Sequence, residues 1–317
     1  EARLHEALHP EVGTILADKR VLVFSEMLDD LGFPNKSDLI HFMVSGFPVV
    51  GAYPRTNIFP AAVRRATYTP ADLWRLSRRL RKDLAAAAGG SSEPSLDEEV
   101  WEATLEEVRR GWLLAPADEE ALDSSLGCWI PSRRFGIRQS KKLRVIDDFA
   151  ASLVNDALSA EETVDPDGLD RIAVNAKAHI DAFTAPLSAR PSSSPFAADV
   201  RHADYAEARL VSRLWDVASA YRHLARAPKH GSFTVIAVWN PFDKKLAYFQ
   251  QPALAFGAAA SVFSFNWVAA ALREILVGIF HIGATNFYDD FSVIEVEALA
   301  DDARACVESF FELLGWK

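Results

Sequence analysis

Cysteine is scarce in this chain of 317 residues, which contains only Cys128 and Cys306. Two cysteines so far apart build neither a disulfide framework nor a cysteine-rich zinc site, and we expect both to be small buried residues of an intracellular protein, nuclear or cytoplasmic. The N-terminal segment EARLHEALHPEV lacks the apolar core of a signal peptide. The chain also begins without methionine, which leaves open whether it is a fragment of a longer protein.

Long hydrophobic runs are also missing. The most apolar stretch, residues 253–280, is interrupted by Asn266, Arg273 and Glu274, and we therefore predict no membrane span. With 50% hydrophobic and 25% charged residues, the composition is that of an ordinary core-forming protein. The chain contains no P-loop and no nucleophile elbow, which argues against the enzyme classes that depend on those motifs.

The formal net charge of −10 argues on its face against a nucleic-acid partner. The basic residues are unevenly placed, however, and a cluster of them lies between residues 133 and 144. Such a cluster can bind phosphates on an otherwise acidic protein, although a solvated loop would have the same composition. The cluster consists of Arg133, Arg134, Arg138, Lys141, Lys142 and Arg144.

Residues 1–126 are predicted to form a mainly helical region, and their pattern indicates no particular chemistry. Thr69 and Pro70 suit the N-cap and the first turn of a helix. Composition predicts an extended loop at residues 46–60 and a linker at residues 89–95. The spacing of apolar residues predicts helices over residues 17–31, 70–88 and 96–112.

From residue 127 onwards, short apolar strands alternate with helices. Strands around a basic turn, at residues 135–137 and 143–146, predict a hairpin, and SARPSSSP (residues 188–195) predicts a flexible insert. From residue 209 the predicted order is that of an α+β layer, in which helices pack on one face of an antiparallel sheet. The predicted strands are 209–215, 232–239, 245–249, 286–287 and 291–295, and the predicted helices are 169–182, 218–226, 258–279 and 297–314.

Two features place carboxylates where chemistry is expected. Asp216 ends a predicted strand, and Asp289 and Asp290 lie at the tip of a predicted hairpin. Tight turns favour aspartate, so for Asp216 alone a turn residue is the simpler explanation. Adjacent carboxylates repel each other unless positive charge lies beside them, and a pair of divalent ions about 3.5–4 Å apart, as in two-metal phosphoryl transfer, supplies that charge. The pattern therefore predicts a Mg²⁺ site, because Mg²⁺ prefers carboxylate and phosphate oxygens.

Taken in order, several segments resemble the successive motifs of reverse transcriptases. This resemblance implies an α+β fold. The implied fold is a right-hand polymerase palm with partial fingers over residues 127–317. The palm is an antiparallel sheet with helices on one face. The mainly helical region of residues 1–126 precedes it. The segment similar to the fingers motif is KLRVIDDFAASLVN (142–155). The segments similar to palm motifs are WDVASAY (215–221), ALAFGAAASVFSF (253–265) and FYDDF (287–291). The last segment, ESFFELLGW (308–316), is similar to the helix and Gly-aromatic step that follow the palm motifs.

By this resemblance, Asp216 and Asp289 ligate both metal ions, two Mg²⁺ or alternatively Mn²⁺, and Asp290 completes the acidic cluster. Tyr221 lies five residues after Asp216 and matches the aromatic residue that closes off space beside the sugar 2′ position. A ring there excludes ribonucleotides and implies DNA synthesis. A ring that packs into the core is an equally weighted alternative for Tyr221.

The resemblance also implies residues that bind the nucleotide. Phe256 and Gly257 match the Phe-Gly of the nucleotide-pocket motif, where glycine allows the backbone to approach the incoming base pair closely. Ala255 stands where the family usually has proline, which predicts a less rigid loop. Arg144 matches the basic residue over the triphosphate, where arginine can pair two phosphate oxygens, and Lys142 is expected to assist.

The implied function is RNA-directed DNA synthesis, a two-metal nucleotidyl transfer from a deoxynucleoside triphosphate to a primer 3′-hydroxyl, with an RNA or DNA template and its primer as partners. No thumb, ribonuclease H, protease or integrase pattern is visible, no membrane partner is expected, and the oligomeric state is not indicated. One alternative is an RNA-dependent RNA polymerase, which more often has glycine at the position of Tyr288. The other is a non-catalytic, domesticated or truncated polymerase-like module that binds nucleic acid. Ala255 and the acidic charge favour this module, whereas the three intact aspartates oppose it.

Overall fold

The chain is seen in a computed structural model that describes residues 1–139, 142–184 and 209–316. It divides into two compact units. Helices and mainly antiparallel strands occur together, so the fold is mixed and compatible with the predicted α+β class. The insert predicted at residues 188–195 lies outside the described residues. Unit 1 consists of Glu1–Leu22, Pro34–Val164 and Ser219–Trp267, and unit 2 consists of Val23–Phe33, Asp165–Ala218 and Val268–Lys317.

The predicted helix that starts after Thr69 is confirmed together with its cap. Asp72 N–H donates to the Thr69 hydroxyl (3.1 Å), and Thr69 N–H donates back to the Asp72 carboxylate (2.9 Å), which is a reciprocal capping box. In the described parts of the chain the α-helices are α1 (Ala2–Ala7), α2 (Pro10–Leu16), α3 (Val21–Leu31), α4 (Lys36–Ser45), α5 (Pro70–Ala86), α6 (Pro94–Arg109), α7 (Glu119–Leu126), α8 (Leu169–Thr184), α9 (Ala259–Gly278) and α10 (Ala300–Leu314). By length and composition α9 could cross a membrane, and 78% of its most apolar window is buried inside the protein.

The strands of the described residues form three sheets, with the orders β1-β5-β2, β4-β3-β7-β8 and β6-β10-β9. Pairing is parallel between β1 and β5 and between β3 and β7, and antiparallel in the other pairs of these sheets. The hairpin predicted around the basic turn is confirmed as β3 and β4. The strands are β1 (Gly51–Ala52), β2 (Ala61–Arg64), β3 (Pro131–Gln139), β4 (Lys142–Asp148), β5 (Leu158–Glu162), β6 (Leu210–Asp216), β7 (Val235–Asn240), β8 (Lys245–Gln250), β9 (Ala284–Phe287) and β10 (Asp290–Val296).

The two hairpins predicted after residue 209 do not belong to one sheet, and that prediction is wrong. The hairpin of β7 and β8 pairs through β7 with β3 in unit 1, whereas the hairpin of β9 and β10 pairs with β6 in unit 2. The reason is that β7 is buried on both faces. Ile236 and Val238 pack with Trp101, and Val235 and Ala237 pack with Trp129. A strand of this kind needs a neighbour on each edge, and β3 and β8 supply them.

The α-helix predicted over residues 218–226 is also wrong. Only Ala220–His223 is helical, as a single 3₁₀ turn. Ser219 before this turn has a left-handed backbone (φ 57°), and Leu224 after it is extended. The Leu224 carbonyl accepts a hydrogen bond from Leu254 N–H (2.8 Å). The segment therefore pairs with a distant part of unit 1 instead of continuing as a helix.

In unit 2, side chains of the β6-β10-β9 sheet alternate between two faces. Phe291 and Glu295 of β10 lie on the same face. The Phe291 ring lies 5.2 Å from the Phe311 ring of α10, and Glu295 lies 3.7 Å from His179 of α8. Two helices therefore cover this face of the sheet, and Asp290 lies on the other face.

Replacing Phe291 with alanine should lower the free energy of unfolding of the protein by about 3–5 kcal/mol, because a fully buried ring is lost from the contact between β10 and α10. Phe287, at the end of β9, is 54% exposed and provides the matched control. Phe287→Ala should cost less than about 1.5 kcal/mol, the upper range for one aromatic pair. Urea unfolding followed by circular dichroism measures both values, and equal losses would contradict the assigned faces of the hairpin.

Candidate active site

The strand register of unit 2 places two of the candidate aspartates opposite each other. Antiparallel pairing aligns Asp290, at the start of β10, with Asp216, at the end of β6. Side chains of directly opposite residues share a face, with Cβ atoms about 4.5–5.5 Å apart. Both residues are exposed. The sheet therefore brings two carboxylates together at one of its ends.

Asp289 belongs to the turn between β9 and β10. The pairing of the strand ends leaves only Tyr288 and Asp289 in this turn. The Asp289 carbonyl accepts a hydrogen bond from Val217 N–H (3.1 Å), which attaches the turn to the residue after Asp216. All three aspartates therefore lie at the same corner of unit 2.

Tyr288 adopts a backbone conformation that is unusual for a bulky residue. Its φ angle is 54°, in the left-handed region that glycine and asparagine favour. Such a residue costs about 1–3 kcal/mol and persists where the surroundings impose it, often at functional sites. The ring contacts Phe287, with the centroids 5.0 Å apart. A two-residue hairpin loop requires a positive φ angle at its first residue, so the conformation of Tyr288 follows from the tight turn between β9 and β10.

Asp216 and Asp290 have no basic side chain beside them in the parts of the chain that the structure describes. Within the described ranges, neither carboxylate group forms an ion pair or a hydrogen bond with another residue. Like charges that lie directly opposite each other on neighbouring strands destabilise the pairing. A bound cation would remove this cost.

The donor set fits a hard divalent cation. Mg²⁺ usually binds through one or two carboxylates, several waters and substrate phosphates rather than through a complete protein cage. Exposed, neighbouring carboxylates offer that arrangement. Among the residues that the structure describes, no three His, Cys, Asp or Glu side chains form a preassembled metal-binding group. Asp216 and Asp290 would fit Mg²⁺ or Mn²⁺ only with further ligands from water and substrate.

A cavity of about 320 Å³ opens beside Asp216 in unit 2. Its volume lies at the lower end of the range of small-molecule sites, about 300–1,000 Å³. Most of its lining comes from α10 and the residue Trp316 that follows it, and α10 covers the face of the sheet opposite the Asp216 and Asp290 side chains. The cavity therefore does not by itself bring a ligand to these carboxylates. The cavity is lined by Trp215, Asp216, Val217, Glu308, Phe311, Glu312 and Trp316.

The candidate phosphate-binding residues lie in unit 1, on the hairpin of β3 and β4. Strand pairing aligns Arg144 with Ile137, and the alternation of the strands puts Lys142 and Arg133 on the same face as Arg144. All three basic side chains are exposed, and none forms an ion pair with another residue of the described chain. This face is available to bind phosphate groups.

The basic cluster of residues 133–144 does not form one patch, and that prediction is wrong for Arg134 and Arg138. Both lie on the opposite face of the hairpin, because successive residues of a strand alternate. Arg134 is buried and bonded to Asp147 (Nε to Oδ1, 2.6 Å), and Arg138 is bonded to Glu99 (Nη2 to Oε1, 2.7 Å). Lys141 lies outside the described residues.

The rings of Tyr221 and Phe256 lie next to each other in unit 1. Their centroids are 6.0 Å apart, and the Tyr221 ring meets the Phe265 ring edge-on at 5.9 Å. Phe256 is 47% exposed, and Tyr221 is partly exposed. Tyr221 therefore packs against the buried Phe265 ring while staying partly exposed. The two rings offer an aromatic surface that a sugar or a base can contact.

The conformation at Gly257 is fixed by unit 1 itself. Gly257 has a φ angle of 107°, and a Cβ atom there would lie 2.3 Å from the Asp147 carbonyl oxygen, so only glycine fits. Asn155 donates to the Gly257 carbonyl (2.9 Å) and accepts from Ala259 N–H (2.7 Å). These bonds hold the loop around Gly257, in which Ala255 stands where the motif that it resembles usually has proline. Close approach of Gly257 to a base pair stays a prediction.

A metalloprotease-type HExxH pattern occurs at residues 5–9, HEALH, although the sequence-based predictions include no site there. Zinc binding by this motif needs both histidines on one face of a helix. Here α1 ends at Ala7, Leu8 is extended, and His9 caps α2 by accepting a hydrogen bond from Glu11 N–H (3.3 Å). The helix therefore breaks between His5 and His9, and the geometry of a zinc protease is not formed.

No model of a known protein family matches the chain, and no curated protein matches its sequence. The family resemblance therefore rests on the motifs themselves. Function has to be inferred from these residues and their geometry.

Replacing Asp290 with asparagine should raise the free energy of unfolding by about 0.2–1 kcal/mol in metal-free buffer, because repulsion across the strand pair is removed. Asp216→Asn should have the same effect, and the double variant should gain little beyond either single variant. Asp170→Asn, in the first turn of α8, controls for net charge and should not stabilise, because an acid there favours the helix. Urea unfolding measures all four variants, and similar gains in every one would contradict the proposed pairing.

Proposed function

We propose that this protein is a template-directed nucleotidyltransferase that makes DNA, as do the reverse transcriptases whose motifs it resembles. The observation that carries the proposal is the alignment of Asp216 with Asp290, with Asp289 in the adjoining turn. Two-metal phosphoryl transfer requires carboxylates grouped in this way. In this proposal the β6-β10-β9 sheet, with helices on one face, corresponds to the polymerase palm.

In the proposed reaction, the primer 3′-oxygen forms a bond to the α-phosphorus of a deoxynucleoside triphosphate. The bond from this phosphorus to the oxygen that bridges to the β-phosphate breaks, pyrophosphate leaves, and the 3′-hydroxyl proton passes to solvent. When bound, divalent cations supply positive charge that favours the ionised 3′-oxygen and the leaving pyrophosphate. Asp216 and Asp289 would hold these cations, and Asp290 would complete the acidic cluster.

The proposal assigns recognition of the nucleotide to residues of unit 1. Arg144 and Lys142 are exposed and without carboxylate partners in the described chain, so their charges are available for the triphosphate, which arginine can bind through two oxygens at once. Tyr221 and Phe256 form the aromatic surface that would contact the sugar and the base. A tyrosine ring beside the sugar would collide with a 2′-hydroxyl, which is the reason for proposing DNA rather than RNA as the product.

A non-catalytic nucleic-acid-binding module is the second candidate. The exposed face of the β3–β4 hairpin favours it, because Arg133, Lys142 and Arg144 lie there beside Ile137, which is 45% exposed. Such a face can bind phosphates without any chemistry. In that case, substitutions of the unit 2 aspartates would not alter any activity of the protein.

Primer extension on an RNA template distinguishes these functions. With Mg²⁺ and deoxynucleotides, the wild-type protein should extend the primer, and Asp289→Asn should slow extension by more than about a hundredfold, because several kcal/mol of transition-state stabilisation depend on the metal ligands. Asp243→Asn, in the turn between β7 and β8, is the matched control and should extend normally. A wild-type protein that binds the primer–template but never extends it would support the binding module and overturn the polymerase.

The same assay with ribonucleotides tests the choice of sugar. The wild-type protein should prefer deoxynucleotides, Tyr221→Phe should keep this preference because it keeps the ring, and Tyr221→Val should admit ribonucleotides. Equal use of both sugars by the wild-type protein would favour an RNA-dependent RNA polymerase instead.

A further inference from the structure

A cluster of four charged side chains lies buried in unit 1. Arg134 donates to Asp147 through Nε (2.6 Å) and Nη2 (3.0 Å), and to Glu107 through Nη2 (3.0 Å). Arg222 donates through Nη2 to both oxygens of Glu107 (3.0 and 2.9 Å) and lies 3.6 Å from Asp147. The side chains of Arg134 and Asp147 are 0% and 1% exposed, and those of Arg222 and Glu107 are 8% and 17% exposed.

The charges of the cluster balance, so its members depend on one another. Burial on its own would raise the pKa of Asp147, but the guanidinium groups of Arg134 and Arg222 outweigh this effect and hold that pKa below its ordinary value. Both arginines stay protonated because guanidinium does not lose its proton in proteins. Two positive and two negative groups therefore share a dry environment, in which the loss of one leaves another uncompensated.

Arg222 connects the cluster to the aromatic surface. It follows Tyr221 directly in the chain, and its Nη1 donates to the Leu254 carbonyl (3.3 Å). Leu254 lies two residues before Phe256. One guanidinium group therefore holds the backbone beside both rings of the Tyr221–Phe256 pair.

Asp147 connects the cluster to the other proposed nucleotide contacts. The backbone carbonyl oxygen of Asp147 occupies the space that the Cβ atom of any other residue at position 257 would need. Asp147 is also the cross-strand partner of Arg134 in the β3–β4 hairpin, and this hairpin carries Arg144. The hairpin and the loop at Gly257 are therefore held by the same carboxylate residue.

We propose that Glu107 is a positioning residue for nucleotide selection. Glu107 lies on α6, outside the motifs that carry the family resemblance. From there it binds both arginines of the cluster. Through Arg222 and Arg134 it holds the Tyr221–Phe256 pair and the hairpin in fixed positions within unit 1. This inference rests on the proposed function, and it gives α6 a part in that function.

Glu107→Gln tests this role, because it removes the charge and keeps the shape of the side chain. Glu106 is the next residue of the same helix, pairs on the surface with Arg109 and Arg110, and gives the matched control Glu106→Gln. Glu107→Gln should raise the KM for deoxynucleotides and lower the preference for them over ribonucleotides, each by roughly tenfold to a hundredfold. The kcat should change far less, because the aspartates of unit 2 are untouched. Unchanged KM and sugar preference in folded Glu107→Gln would overturn the proposal.

Hydrogen–deuterium exchange provides a readout that does not depend on catalysis. In Glu107→Gln, backbone exchange should become faster at residues 143–148, 220–224 and 254–259, and in Glu106→Gln it should not. Unchanged exchange in Glu107→Gln overturns the positioning role whether or not the wild-type protein extends a primer. Faster exchange together with an inactive wild-type protein would support the positioning role and overturn the proposed function alone.

A second variant covers the case in which Glu107→Gln does not fold. In Glu107→Gln/Arg222→Gln, Arg134 and Asp147 still balance each other, so this protein should fold. It should nevertheless keep the raised KM, because the bond to the Leu254 backbone is lost. A wild-type KM in the double variant would contradict the proposal.

Discussion

The register of β6 against β10 is the constraint on which the candidate site depends. It sets Asp216 opposite Asp290, and a slip by one residue would move one of the two carboxylates to the other face of the sheet. Burial of Phe291 against Phe311 and the bond from Val217 to the Asp289 carbonyl hold this register. The repulsion of the aspartates and the left-handed backbone of Tyr288 are costs that this register imposes, and sites that bind ligands commonly keep such costs.

Charge is arranged differently at two places in the protein. In unit 2, Asp216 and Asp290 are exposed and lie without basic partners in the described chain, an arrangement that a bound cation would balance. In unit 1, the charges of Arg134, Arg222, Glu107 and Asp147 are buried and balanced, so they fix positions instead of attracting a ligand. The net charge of −10 averages over both arrangements. It therefore does not exclude the exposed basic face of the β3–β4 hairpin, which a partner rich in phosphate would bind.

Local patterns were sufficient to predict much of the fold. The cap of α5 at Thr69, the β3–β4 hairpin and the turn carrying Asp289 each follow from residues close together in the chain. The features that could not be predicted from the sequence depend on contacts with residues far away in the chain. Pairing of β7 with β3, the short 3₁₀ turn around Tyr221 and the burial of Arg134 are all determined by contacts with remote segments. Glu107 was missed for the same reason, because its two arginine partners are far from it in sequence.

We propose that Asp216 and Asp289 hold divalent cations for nucleotidyl transfer. The most direct test is X-ray diffraction at the manganese absorption edge, from crystals of the wild-type protein soaked with Mn²⁺ and a deoxynucleoside triphosphate. We predict anomalous density within coordination distance of the Asp216 and Asp289 carboxylates and of the triphosphate oxygens, and its loss in Asp289→Asn. Bound nucleotide with manganese only at other residues, or with both aspartates free of metal, would contradict the claim.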